Sequence, residues 1–319
     1  MICRRGRRPR TPALPGTRWA MVLCSATLAR PLRVEAVVIV SEEDPVATAV
    51  AERWGTLPAS GGHVEGTPLR RLNDRTLVLR RPLPHIHDEG VDARLPLTVR
   101  EGRPTLIFPS IHRSERNVPC VTVHPLGNPG ARAEVGGRPR TLVPTDPRRM
   151  TSALRLLGEG AESFAWDATY EATHHGPAVE LPAFFIEIGY GELAAPPDEA
   201  VRLLADVIPS VEPDTLDRVA LGVGGGHYAP HFTDLARRRR WAFGHLLSRH
   251  ALLEVDRATV ASAFRGTDGA EGVVYARAED ARHPVMFGAG PRLRDQDAPP
   301  REPRGREPST GGVRSASGT

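Results

Sequence analysis

The chain has 319 residues, 40% hydrophobic and 25% charged, which is enough apolar content for a packed core and excludes a wholly disordered protein. No apolar run reaches the roughly 18 residues of a membrane-spanning helix, and three cysteines (Cys3, Cys24, Cys120) with no CxxC spacing exclude a disulfide framework or a cysteine-rich zinc site. The formal charge of +4 rests wholly on arginine, since the sequence contains no lysine; arginine's planar fork suits phosphate, so an anionic partner is weakly favoured.

Residues 1–32 are expected to be a disordered basic extension, with Met21 as an alternative start; the apolar stretch after Met21 is too short and too soon followed by Arg30 for a secretory signal. The run from Arg33 to Ser41 reads as a buried strand. Ser41 or Asp44 then caps a helix with Pro45 in its first turn, running to about Trp54. A strand followed at once by a helix is the opening of an α/β domain. Thr76–Arg80 is a second strand. His85-Ile86-His87 alternates as an exposed edge would.

Thr105–Ser110 and Val118–Val123 are strands, each ending in a histidine followed by polar or turn residues: His112 with Glu115 nearby, and His124. Ligands of open α/β sheets bind beyond strand carboxyl ends. Residues 129–145 read as a loop, and Asp146 caps a helix through about Leu157. In Tyr170–Pro177, His174 and His175 are adjacent, and Gly176-Pro177 supplies a turn that could bring their side chains together. Pro182–Gly189 is a strand with Glu187 inside its apolar run; a carboxylate there needs a metal, an arginine or a histidine unless it faces solvent. Asp198–Ile208 is an amphipathic helix.

Leu216–Val223 is a strand that feeds Gly224-Gly225-Gly226, then His227 and His231 with Pro230 between them. The glycines allow a sharp turn and close approach of backbone to a ligand. Arg237–Arg240 beside Trp241 could contact RNA phosphates and stack on a base. Residues 289–319, rich in Pro, Gly, Arg, Ser and Asp, are expected to be a disordered tail. The P-loop, the GxSxG elbow and HExxH are all absent.

VSEEDP (40–45), SIHRSE (110–115), VTVHPLGN (121–128), EATHHGP (171–177), FFIEIG (184–189), GVGGGHYAP (222–230) and FGHLL (243–247) occur in one order. The set resembles the archaeal and plant-type D-aminoacyl-tRNA deacylases across about residues 33–290. That resemblance implies an α/β fold with a mixed central sheet and flanking helices, related to phosphorylase/hydrolase-like and peptidyl-tRNA hydrolase structures. It implies one α/β domain over 33–288, or two subdomains; a zinc ion; a D-aminoacyl-tRNA substrate; and a monomer, while the sparse cysteines make a cytoplasmic location the default expectation. His112, Glu115, His175 and His227 are the expected catalytic groups. His124, His174, Glu187 and His227 are the expected metal ligands, although the residues alone leave ligand and base undivided. Gly224, Gly225, Gly226, Arg237, Arg238, Arg239, Arg240 and Trp241 are expected to meet the tRNA. His231 ranks below His227 because the family often carries a basic residue there. A metal-dependent amidohydrolase or peptidase, and a non-enzymatic RNA-binding module, are the rival functions.

Overall fold

The apolar run at 33–41 forms β1 (Ala36–Ser41), in a computed structural model that describes residues 33–113 and 117–301. Every β1 residue is buried, as a central parallel strand covered on both faces requires. Asp44 caps α1 (Pro45–Arg53), accepting from the Val46 and Ala47 N–H groups at 2.9 Å each. Its other carboxylate oxygen accepts from Ser110 Oγ at 2.7 Å and Ile111 N at 3.0 Å. One side chain therefore both starts the helix and ties it to the strand end that carries His112.

The hairpin β2 (Ala59–Val64) and β3 (Thr67–Arg71) precedes β4 (Thr76–Arg81), with α2 (Leu97–Arg100), β5 (Thr105–Ile111) and β6 (Cys120–Pro125) beyond. A two-stranded ribbon, β7 (Gly127–Asn128) and β8 (Thr141–Leu142), leads into α3 (Pro147–Ala161), β9 (Asp167–Tyr170) and β10 (Ala183–Gly189). The eight-stranded sheet has the order β2-β3-β4-β1-β5-β10-β6-β9. β4, β1, β5 and β10 run parallel, and β6 pairs antiparallel with β10. The sheet is mixed and flanked by helices, as expected.

After α4 (Asp198–Val207), β11 (Arg218–Val223), α5 (Pro230–Arg238), β12 (Trp241–Leu247), α6 (Arg249–Leu252), α7 (Arg257–Gly266), β13 (Gly272–Tyr275) and β14 (Arg292–Leu293) complete the chain. Four of these strands make a second, parallel sheet of order β12-β11-β13-β14. A core of β1, α1, α3, α4, α5, β11 and β12 side chains spans both sheets. Buried Arg155 of α3 reinforces it, donating to Asp217 at 2.5 and 3.1 Å and to the Ala236 carbonyl at 2.8 Å. Among the described residues no helix is long and apolar enough to cross a membrane.

Two expectations change. His85 and His87 lie in a 3-10 turn rather than on an edge strand, and the His85 ring is buried edge-on against Phe108 and Phe185. The C-terminal segment is placed against the fold as far as residue 301: β14 pairs with β13, Ala298 is fully buried, and the Asp295 carbonyl accepts from Trp241 Nε1 at 2.9 Å. Polar composition concealed those backbone partners. The expectations for residues 1–32, for Glu115 and for 302–319 lie outside the described residues.

Candidate active site

Strand period 2 decides which way Glu187 points. Phe184, Ile186 and Ile188 face one core, while Ala183 and Phe185 face the opposite one. Glu187 follows Phe185 on that second face, near the strand end, and is only 4% exposed. It does not face solvent. Across β6, the ring of His124 stacks on Phe185 at 5.0 Å, so Glu187 and His124 share a face.

A second device joins the two sheets. Ala172 N–H donates to the His227 carbonyl at 2.8 Å, and Ala229 N–H donates to the Tyr170 carbonyl at 3.0 Å. This short antiparallel bridge pairs Glu171 with Tyr228 and sets the exit of β9 beside the exit of β11. His175 takes a left-handed backbone (φ 39°), and its ring lies 4.4 Å from that of His174. The turn therefore brings the adjacent histidines together.

The result is one buried cluster. His112 Nδ1 lies 3.1 Å from Glu171 and 3.2 Å from Glu187. His227 Nε2 lies 2.8 Å from Glu171, and His174 Nε2 lies 3.8 Å from it. His124 Nε2 is 3.6 Å from Glu187, and its ring lies 4.1 Å from His174 and 4.9 Å from His175. Three groups have donor atoms close enough to hold a metal ion: His124, His174 and His175; Glu171, His174 and His227; and His112, Glu171 and Glu187. The donors fit a divalent ion. Nε2 of fully buried His124 makes no hydrogen bond, the oxygens of fully buried Glu171 meet only imidazole nitrogens, and buried polar atoms are seldom left without a partner. Imidazole with carboxylate suits zinc and its neighbours.

Charge is divided sharply within the cluster. Burial pulls His112 down, but Glu171 and Glu187 outweigh it and push its pKa up to about 12. Burial, then the neighbouring imidazoles of His124 and His175, hold His174 well below its ordinary value. Burial and His124 bring His175 down to about 4. Burial pushes Glu171 upward, yet His112 and His227 hold it well below the carboxylate range. The two carboxylates thus favour protonated His112, while burial favours neutral His174 and His175. Protonated His112 donates from Nε2 to Tyr228 Oη at 2.8 Å.

His227 is 47% exposed and opens the cluster to two cavities of about 740 and 430 Å³. The larger is lined by Arg113, Gly225, Gly226, His231 and Arg277 among others. His174 and His175 line the smaller. Gly224 is closed to ligand: its N–H donates to the Leu247 carbonyl at 2.8 Å, and a Cβ on it would lie 2.2 Å from an Asp280 oxygen. His231 sits in the first turn of α5, outside the three groups.

The basic run behaves differently from its expectation. Trp241 is fully buried in β12 and cannot stack on a base. Arg237 pairs with Glu162 at 2.7 Å, Arg238 with Asp234 at 2.5 Å and Arg240 with Asp214 at 3.3 Å, while Arg239 donates to the Ala298 carbonyl at 3.2 Å. They serve the chain's own carboxylates and carbonyls. Glu171 and Tyr228 are the site residues that sequence reasoning passed over. Glu171 stood in the histidine cluster EATHHGP, and Tyr228 directly follows His227.

An imidazole–carboxylate cluster at the junction of two sheets, open to two cavities, has the donors that metal-assisted hydrolysis uses. The D-aminoacyl-tRNA deacylase family model matches residues 100–283, and the chain belongs to that family. The D-aminoacyl-tRNA deacylase of Thermoplasma acidophilum is 36% identical over 173 residues, covering 54% of this chain and 67% of that protein. That of Thermococcus kodakarensis is 34% identical over 191 residues, covering 59% and 69%. That of Methanoregula boonei is 42% identical over 164 residues, covering 51% of this chain but only 36% of that protein. A crystal structure of a conserved protein of unknown function, AF0625, shares the fold with a TM-score of 0.72 at 23% identity, covering 83% of this chain and 96% of that one.

Proposed function

We propose that the protein hydrolyses the ester between a D-amino acid and the 3′ end of tRNA, with a zinc ion bound in the cluster. The observation that carries this is the cluster of His124, His174, His175, Glu171 and His227, whose donor atoms fall into two metal-sized groups sharing His174 beside two cavities. Either His124, His174 and His175 or Glu171, His174 and His227 would hold the ion, and Glu187 supports the cluster through His112 and His124. An ion bound there would provide activated water for ester hydrolysis, with a pKa lowered from 15.7 to about 7.

The chain's own residues do the rest. His112, favoured as a cation between two carboxylates, holds Tyr228 at the cavity wall. Neutral His174 and His175 present lone pairs rather than protons. His227, the most open imidazole, faces the incoming ester. Gly225 and Gly226 line the same cavity, and their backbone N–H groups would donate to the developing oxyanion. The substrate class puts the work in the cytoplasm, and we take the working unit to be a monomer. Incubation with D-Tyr-tRNA should release D-tyrosine, cease on chelation and resume on adding zinc. Activity that survives chelation would remove the ion from the mechanism.

A further inference from the structure

Resting on the aminoacyl-tRNA reading, we propose that the 740 Å³ cavity beside His227 is the cleft for the last nucleotides of the tRNA, with Arg113 and Arg277 as its phosphate contacts. Its volume lies in the range that encloses a nucleotide-sized ligand. The lining contains two arginines and two imidazoles but no carboxylate among the described residues. By contrast, the 430 Å³ cavity that shares His227 carries Glu134 and Glu254, both paired with Arg132. The carboxylate-free cavity is the one whose charge suits a polyanion.

Unlike the Arg237–Arg240 run, the two arginines line the cavity beside His227. Arg113 is exposed and has no ion pair among the described residues. Arg277 is 61% exposed and reaches only Glu279, at 3.4 Å, an acid it shares with Arg249. Both can exchange solvent for phosphate without abandoning a buried partner. Gly225 and Gly226 complete the wall. No heavy atom lies within 4 Å of a Cβ built on Gly225, and the nearest to one on Gly226 is the Tyr228 carbonyl at 3.6 Å, so a side chain at either position would occupy the cleft.

The test uses the full chain and a 5′-phosphorylated cytidylyl-cytidylyl-adenosine trinucleotide, measured by calorimetry, together with the KM and kcat for D-Tyr-tRNA. Arg113→Ala and Arg277→Ala should each weaken trinucleotide binding and raise KM roughly tenfold while kcat stays within about twofold. The slope of log affinity against log salt should fall by about 0.7 for each arginine removed. Arg202→Ala, exposed on α4, should change nothing. Gly226→Val should block the trinucleotide without removing a charge. Unchanged binding and KM in the double arginine variant, alongside wild-type deacylation, would overturn the cleft and leave the activity standing. Arginine-dependent trinucleotide binding without any deacylation would uphold the cleft and defeat the activity.

Discussion

Glu171 is the residue on which the cluster turns. It is fully buried and within reach of three imidazoles. Glu171→Gln keeps the shape and removes the charge, so kcat/KM for D-aminoacyl-tRNA should fall by about two orders of magnitude or more, with zinc content falling in parallel. Retained zinc and turnover would place the ion elsewhere. The histidines were legible because each lies at or shortly beyond the end of a strand. Glu171 was not, since a glutamate beside a strand end is ordinary on a solvated surface and only the cross-sheet bridge to Tyr228 buries it. Trp241 misled for the converse reason: four arginines precede it, yet the following apolar run carries it into the core. Trp241→Ala should cost about 3–5 kcal/mol in urea unfolding with little effect on the KM of the folded fraction. A rise in KM at unchanged stability would restore its role as a stacking platform.

At the scale of elements, the strands and helices with clean apolar patterns were readable: β1, β5, β10, β11, α1 and α4. The hairpin β2–β3 was not, because Ala-Ser-Gly-Gly-His-Val has no alternation of apolar side chains and owes its form to pairing with its neighbours. The β14 segment was hidden by its charged, proline-rich surroundings. Asp44 shows how one element positions another, since it caps α1 and also holds the end of β5. Asp44→Ala removes the cap, worth about 1–2 kcal/mol, and frees Ser110 and Ile111 just ahead of His112. Urea unfolding should register that loss, and kcat should fall with it, whereas Asp44→Asn should recover most of the stability. A stable Asp44→Ala variant with full kcat would show that the strand end is held by other contacts.

Taken whole, the molecule is two sheets fastened at the place where the chemistry sits. His245 belongs to that fastening: its Nδ1 meets Thr173 Oγ1 at 3.1 Å, and Thr173 N–H donates to the Leu246 carbonyl at 2.8 Å. Burial lowers the His245 pKa to about 4. The neutral form is therefore favoured in the fold, its stabilisation is complete above the unfolded value near 6.5, and it is lost as pH falls toward 4. Between pH 7 and pH 5 the wild type should lose about 2 kcal/mol more than His245→Gln; equal losses would mean that His245 is not buried neutral. The central claim is an activity confined to one hand of amino acid. Its most direct measurement is the pair of first-order deacylation rates on D-Tyr-tRNA and L-Tyr-tRNA with the same zinc-loaded protein. Rapid loss of the D ester with the L ester spared is the expected result, and equal rates on the two would contradict it.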